Sequence, residues 1–174
     1  MSMRRGRRLA LAWIGVAVTG CTAADTTTQA RMFEAPRAVV WQAVTAALQE
    51  TAYRPASMHE AQGVAIGERS YSEPSVISLT ADAEHSVHAR WWGMDATLIV
   101  GVEERPGGRS RVTVGSKLMG WTNPSMPASE HGSPTAQPLR SNGTIERDVL
   151  DHIAAHLASA DSQPRAATSF ARPP

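Results

Sequence analysis

The sequence predicts an α+β two-layer sandwich: an antiparallel meander sheet with two helices on one face. Two segments, 36–51 and 144–159, place apolar residues at helical spacing on one side only. Between them the pattern changes to short period-two alternations separated by turn residues. The connections are too short to hold crossover helices, which argues against a parallel nucleotide-binding sheet. Two one-sided helices and one sheet bury their apolar faces most simply as two layers.

Each element follows from its own residues. Residues 30–34 alternate and read as a first strand, and Pro36 then opens a helix where its missing N–H costs nothing. Val40, Val44, Ala47 and Leu48 line one face of that helix, with Trp41 at the border as a core residue. Further strands are expected at 53–58, 63–70, 75–81, 85–92, 95–105 and 109–118. Their inward residues are Val64 and Ile66, Ile77 and Leu79, then Val87, Ala89 and Trp91. Ala96, Leu98, Val100 and Val102 follow, and finally Val112, Val114 and Leu118. Pro106-Gly107-Gly108 is a strong turn between the two longest strands, and Gly93-Met94 is read as the preceding turn. Residues 119–140, with four prolines, are read as an irregular loop. Thr144 is the expected N-cap of the second helix, with Glu146 and Asp148 suited to the positive end of its dipole. Ile145, Val149, Leu150, Ile153 and Leu157 form its buried stripe. The folded domain is thus expected over 29–160, followed by a disordered tail over 161–174.

The N-terminal segment has a different character. Arg4, Arg5, Arg7 and Arg8 precede a ten-residue apolar run over 9–18, and no acidic residue occurs before Cys21, the one cysteine of the chain. This is a secretory leader over 1–20, too short in its apolar part to span a bilayer, which takes about 20 residues. Val18-Thr19-Gly20-Cys21 resembles the lipobox of bacterial lipoproteins. That resemblance implies cleavage before Cys21 and a diacylglycerol on its sulfur. Thr22, rather than Asp, in the next position implies sorting to the outer membrane, facing the periplasm. Residues 21–28, rich in Thr and Ala, read as a flexible tether.

Losing the leader leaves 13 basic against 16 acidic residues, so the mature chain carries three net negative charges. That balance offers no basic stripe for nucleic acid. The order of elements across 29–159 is similar to the helix-grip domains of bacterial envelope lipoproteins such as BamC, which implies a binding or scaffolding role without catalysis. The expected partners are the membrane, through the lipid, and envelope proteins.

The chain contains no G-x-S-x-G, H-E-x-x-H, phosphate-cradling glycine loop or C-x-x-C, and no cofactor is expected. Asp148, His152 and His156 fall in a row at four-residue steps on the second helix, a set that would present one oxygen and two imidazoles to a divalent cation. The same row borders the apolar stripe, where polar residues belong by default, and no fourth ligand is evident, so no metal site is assigned. Trp92, which alternation turns outward with His88 and Arg90, has two readings: a surface for protein partners together with the distant Trp121, or, with slightly more weight, a ring covered by the 119–140 loop through Trp121 or Met126. Three function classes follow, in order of weight: a noncatalytic envelope lipoprotein that binds proteins, a carrier of a small apolar ligand or lipid between helices and sheet, and a hydrolase with a site assembled from distant residues.

Overall fold

The computed structural model describes residues 27–73, 76, 80, 81, 91–122 and 135–162. The elements are β1 (Thr28–Phe33), α1 (Arg37–Glu50), β2 (Arg54–His59), β3 (Val64–Tyr71), β4 (Trp91–Arg105), β5 (Arg109–Thr122), β6 (Thr135–Leu139) and α2 (Thr144–Ser162). The sheet runs β1-β5-β4-β3-β2, all antiparallel, with β6 also paired to β5. Strands β2 to β5 are a meander. β1 and β6 lie end to end along the other flank of β5, β1 against 110–115 and β6 against 118–122. Both helices pack on one side of this sheet and on each other, which is the expected two-layer α+β sandwich.

The core lies between the layers. Val40, Val44 and Leu48 of α1 and Val149, Leu150 and Ile153 of α2 meet Met94, Leu98, Val100, Val112, Val114 and Leu118 of the central strands, all buried. At about 25 cal/mol per Å² of apolar surface, this is where folding gains most of its free energy. Trp41 is buried in the same cluster, as its place beside the α1 stripe predicts.

α1 opens at Pro36, whose carbonyl accepts the Val40 N–H at 3.1 Å. It closes in a Schellman motif: the Tyr53 N–H reaches the Leu48 carbonyl at 2.8 Å and the Ala52 N–H reaches Gln49 at 3.1 Å. Ala52 therefore sits in the left-handed region at φ 58°, a conformation that strains a Cβ and suits glycine. Ala52→Gly is expected to raise stability by about 0.5–1 kcal/mol, read as a higher urea midpoint at unchanged slope. Arg69 adds a second closure: Nη1 donates to the Thr51 carbonyl at 2.6 Å while its guanidinium lies 4.5 Å from the Tyr71 ring centre.

Several strand expectations are corrected. In β3 the inward residues are Ala65 and Gly67, whereas Val64 and Ile66 face away from the helices. The cause is the approach of α1: a Cβ on Gly67 would stand 3.1 Å from Tyr53 Cβ and 3.3 Å from Leu48 Cδ2, so only a side chain of minimal size fits beneath the helix end. The expected strand 75–81 is absent at its described positions. Val76 and Thr80 are helical, and Ala81 makes an isolated bridge to Ser141; Ile77 and Leu79 lie outside the described residues.

The expected turn at Gly93-Met94 is instead a β-bulge. Trp91 pairs with Thr122 and Gly93 with Trp121, leaving Trp92 as the extra residue, so the chain continues as one strand from Trp91 to Arg105. The bulge reverses the alternation, so that Trp91 before it and Met94 and Ala96 after it all lie on the helix side. Trp91 does lie on the helix side, packed on the core, and a Cβ on Gly120 would meet its ring at 2.5 Å.

The stretch 119–140, read as irregular, contributes the end of β5 and the whole of β6. Its Pro138 is tolerated because β6 lies on the flank of the sheet. Finally, Thr144 is the first helical residue and not the cap. Asn142 Oδ1 accepts the Thr144 N–H at 3.0 Å and the Gly143 carbonyl accepts the Arg147 N–H at 3.1 Å, which moves the cap toward the preceding turn.

Candidate functional site

Because both helices occupy one side, no described element covers the opposite face of the sheet. On it Ile66 pairs with Ile99, which is 46% exposed, and Val64 pairs with Gly101. Met32, on the β1 flank, is also exposed. The glycines Gly101 and Gly115 leave the floor around Ile99 without side chains. Toward one end this apolar centre gives way to a polar cluster. Asp95 accepts the Ser70 hydroxyl on Oδ1 at 2.6 Å and the Trp121 indole N–H on Oδ2 at 2.8 Å. An open concavity of about 660 Å³ adjoins it, with Arg54, Glu68, Ser70, Asp95 and Thr97 among its lining residues.

Trp121 is therefore half-buried on the open face, fixed by Asp95 rather than loose. A tryptophan held with one polar anchor and a partly exposed ring is the residue type that protein interfaces favour. His88 and Arg90, the other expected members of this surface, lie outside the described residues, as do the side chain of Trp92 and Cys21 itself. In the backbone, the bulge places Trp92 one residue from the Gly93–Trp121 pair.

The row on α2 turns toward α1. Glu50 Oε2, at the last residue of α1, lies 3.2 Å from His152 Nδ1 and 2.9 Å from His156 Nε2, while His152 Nε2 lies 3.7 Å from Asp148 Oδ1. The hydrogen bonds from His152, and then from His156, hold the Glu50 carboxyl below its usual range. Among the described residues no group of three or more His, Cys, Asp or Glu side chains forms a metal centre. Each nitrogen that faces the cluster instead serves a hydrogen bond or an ion pair. Glu50 was invisible as a member of this cluster from sequence, since it stands 102 residues from His152 and belongs to a different periodic segment.

Among the described residues, the one fully buried carboxyl is elsewhere. Glu146, in the first turn of α2, has no exposed surface. Its Oε1 accepts the Ser116 hydroxyl and its Oε2 accepts the Ser141 hydroxyl at 2.8 Å, and Ser141 Oγ in turn accepts the Gly143 N–H at 3.1 Å. This network ties the start of α2 to β5 and to the bridge at Ala81. A signal for its burial was present: Glu146 falls on the α2 stripe, three and four residues before Val149 and Leu150.

Ser57 Oγ and His59 Nε2 are 2.7 Å apart on the exposed side of β2, the spacing that places residues two apart on one face of a strand. A Ser–His pair becomes nucleophilic when a third group orients the imidazole and donors await the oxyanion. Among the described residues no carboxylate bonds the other nitrogen of His59, and the pair stands in solvent. No family model matches the chain, and no curated protein matches it.

Proposed function

We propose that this chain is a noncatalytic lipoprotein of the bacterial envelope, held to the membrane through Cys21 and binding protein partners on the sheet face that carries Ile99 and Trp121. The observation that carries the reading is the pairing of an arginine-rich, short apolar leader with the lone Cys21 directly behind it. Two acyl chains suffice for stable anchoring without a spanning helix. The partner surface is supported by the apolar centre of the open face, with Ile66 beside Ile99, and by the anchored indole at its edge. The carrier reading finds less support: the space between the layers is filled by fully buried Val40, Val44, Leu48, Leu98, Val100 and Ile153.

The test compares three forms in the native envelope: the intact chain, Cys21→Ala and Ile99→Glu. The intact chain is expected in the membrane fraction with reproducible protein partners. Cys21→Ala is expected to leave that fraction, and Ile99→Glu to stay there while losing the partners. Equal membrane retention of Cys21→Ala would refute the anchor, and partners unaffected by Ile99→Glu would refute the surface.

A further inference from the structure

The cluster between the helices has a property that neither anchor nor partner surface requires. α1 and α2 pass each other in opposite senses, Glu50 lying against His152 and His156 while Val39, Gln42 and Ala46 share a groove of about 200 Å³ with His156, Leu157 and Ala160. One carboxylate oxygen thus receives two imidazoles, one from each of two successive turns of α2. We propose that Glu50, His152 and His156 form a proton-operated clasp that draws α1 and α2 together in mildly acidic surroundings and releases them when Glu50 itself takes up a proton.

The count of donors decides which charge state the cluster favours. A neutral imidazole carries one N–H, and an imidazolium carries two. His152 has a carboxylate near each ring nitrogen, Glu50 at Nδ1 and Asp148 at Nε2. Neutral His152 can serve one of them and must turn a lone pair toward the other. The imidazolium donates to Glu50 and meets Asp148, 3.7 Å away, as an ion pair. His156 can donate to Glu50 as either form; the ionised carboxylate already assists that bond, and only the imidazolium adds an attraction between opposite charges to it. The charged and titratable groups facing the cluster are Glu50 from α1 and Asp148, His152 and His156 from α2. The next acid on α2, Asp151, is engaged by Arg31 of β1 at 2.7 Å.

Contacts that favour an imidazolium over a neutral imidazole contribute most on the acid side of neutrality and fade as the pH rises. Glu50 is held below its usual range by the same contacts, so its contribution is present above the ordinary carboxylate range and is lost as the pH falls through its lowered value. The clasp is therefore tightest in mildly acidic solution, above the range in which Glu50 takes up a proton. His152 and His156 are each about a third exposed and Glu50 more so, which admits protons and also salt.

The experiment is thermal unfolding of the full chain in detergent from pH 8 to pH 3.5, beside Glu50→Gln and the double variant His152→Gln/His156→Gln. All three positions are at the surface, so the variants should fold. The excess of the wild-type melting temperature over either variant is expected to grow by about 2–4 °C between pH 8 and 5.5, to shrink again below pH 4, and to diminish in 1 M salt. Parallel pH profiles for the three proteins would overturn the proposal. So would a wild-type excess at pH 8 that appears only on adding zinc chloride, because the cluster would then answer to a metal ion and not to protons.

Discussion

Replacing Glu146 with alanine should cost about 3–5 kcal/mol, among the largest effects of any single change in this chain. The side chain is fully buried and both of its oxygens accept serine hydroxyls. Truncation leaves a void in the first turn of α2 and strands the hydroxyls of Ser116 and Ser141, which are themselves buried. Each unpaired buried polar group costs about 1–3 kcal/mol. Glu146→Gln keeps the volume and one acceptor oxygen, so its cost should be nearer 1–2 kcal/mol. The triple change Glu146→Leu, Ser116→Ala, Ser141→Ala should recover part of the loss by removing every member of the network at once. Recovery stays incomplete, because Ser141 Oγ also satisfies the Gly143 N–H. Urea unfolding of the four proteins checks the ordering, and a Glu146→Ala cost below about 1 kcal/mol would show that the network contributes little.

The second large effect is expected at Gly63, which closes the turn between β2 and β3. It stands at φ 69°, donates its N–H to the Glu60 carbonyl at 3.0 Å and accepts the Val102 N–H at 2.7 Å. A Cβ there would run into the backbone carbonyl oxygen of Val102, which has no rotamer with which to withdraw. Gly63→Ala therefore combines the left-handed penalty with displacement of β4 from the turn. The expected cost is about 3 kcal/mol, or about 10 °C in melting temperature. Gly108 serves as the control: it has φ 71° but open space around the missing Cβ, so Gly108→Ala should show the conformational penalty alone, about 1 kcal/mol. Similar losses at the two positions would refute the clash with Val102.

The two-layer fold was legible because its helices and long strands repeat one pattern over many residues. Val112, Val114 and Leu118 point inward as alternation requires, and so do Ala96, Leu98, Val100 and Val102. What alternation cannot show is which of two apolar faces the helices choose. In β3 both faces are small or apolar, and the choice fell to the crowding of Leu48 and Tyr53 over Gly67, a tertiary fact. The bulge at Trp92 was hidden for a related reason, since one extra residue reverses the phase and resembles a turn followed by a new strand. β6 escaped because its ladder partners lie 13 to 21 residues back in β5, with prolines in between. Of the candidate site, the row Asp148, His152, His156 was readable from helical spacing, and Trp121 from its type. Glu50 joins them only through the folding of α1 against α2.

One feature of the sheet's margin bears on life at a crowded surface. If copies of this chain are tethered to one membrane, they meet in two dimensions, and an open strand margin on each would invite them to zip together. β2 forms that margin on its side of the sheet, and it is poorly suited to zipping. Pro55 offers no N–H, the register slips between Pro55 and Ser57, and Arg54 stands out into solvent. A proline, an irregular ladder and a charge are the devices by which soluble sheets discourage a neighbouring chain from adding a strand. On the proposed reading, such a margin lets the domain be concentrated on a membrane while leaving its broad face for partners, so that crowding the anchor need not mean fusing the sheets.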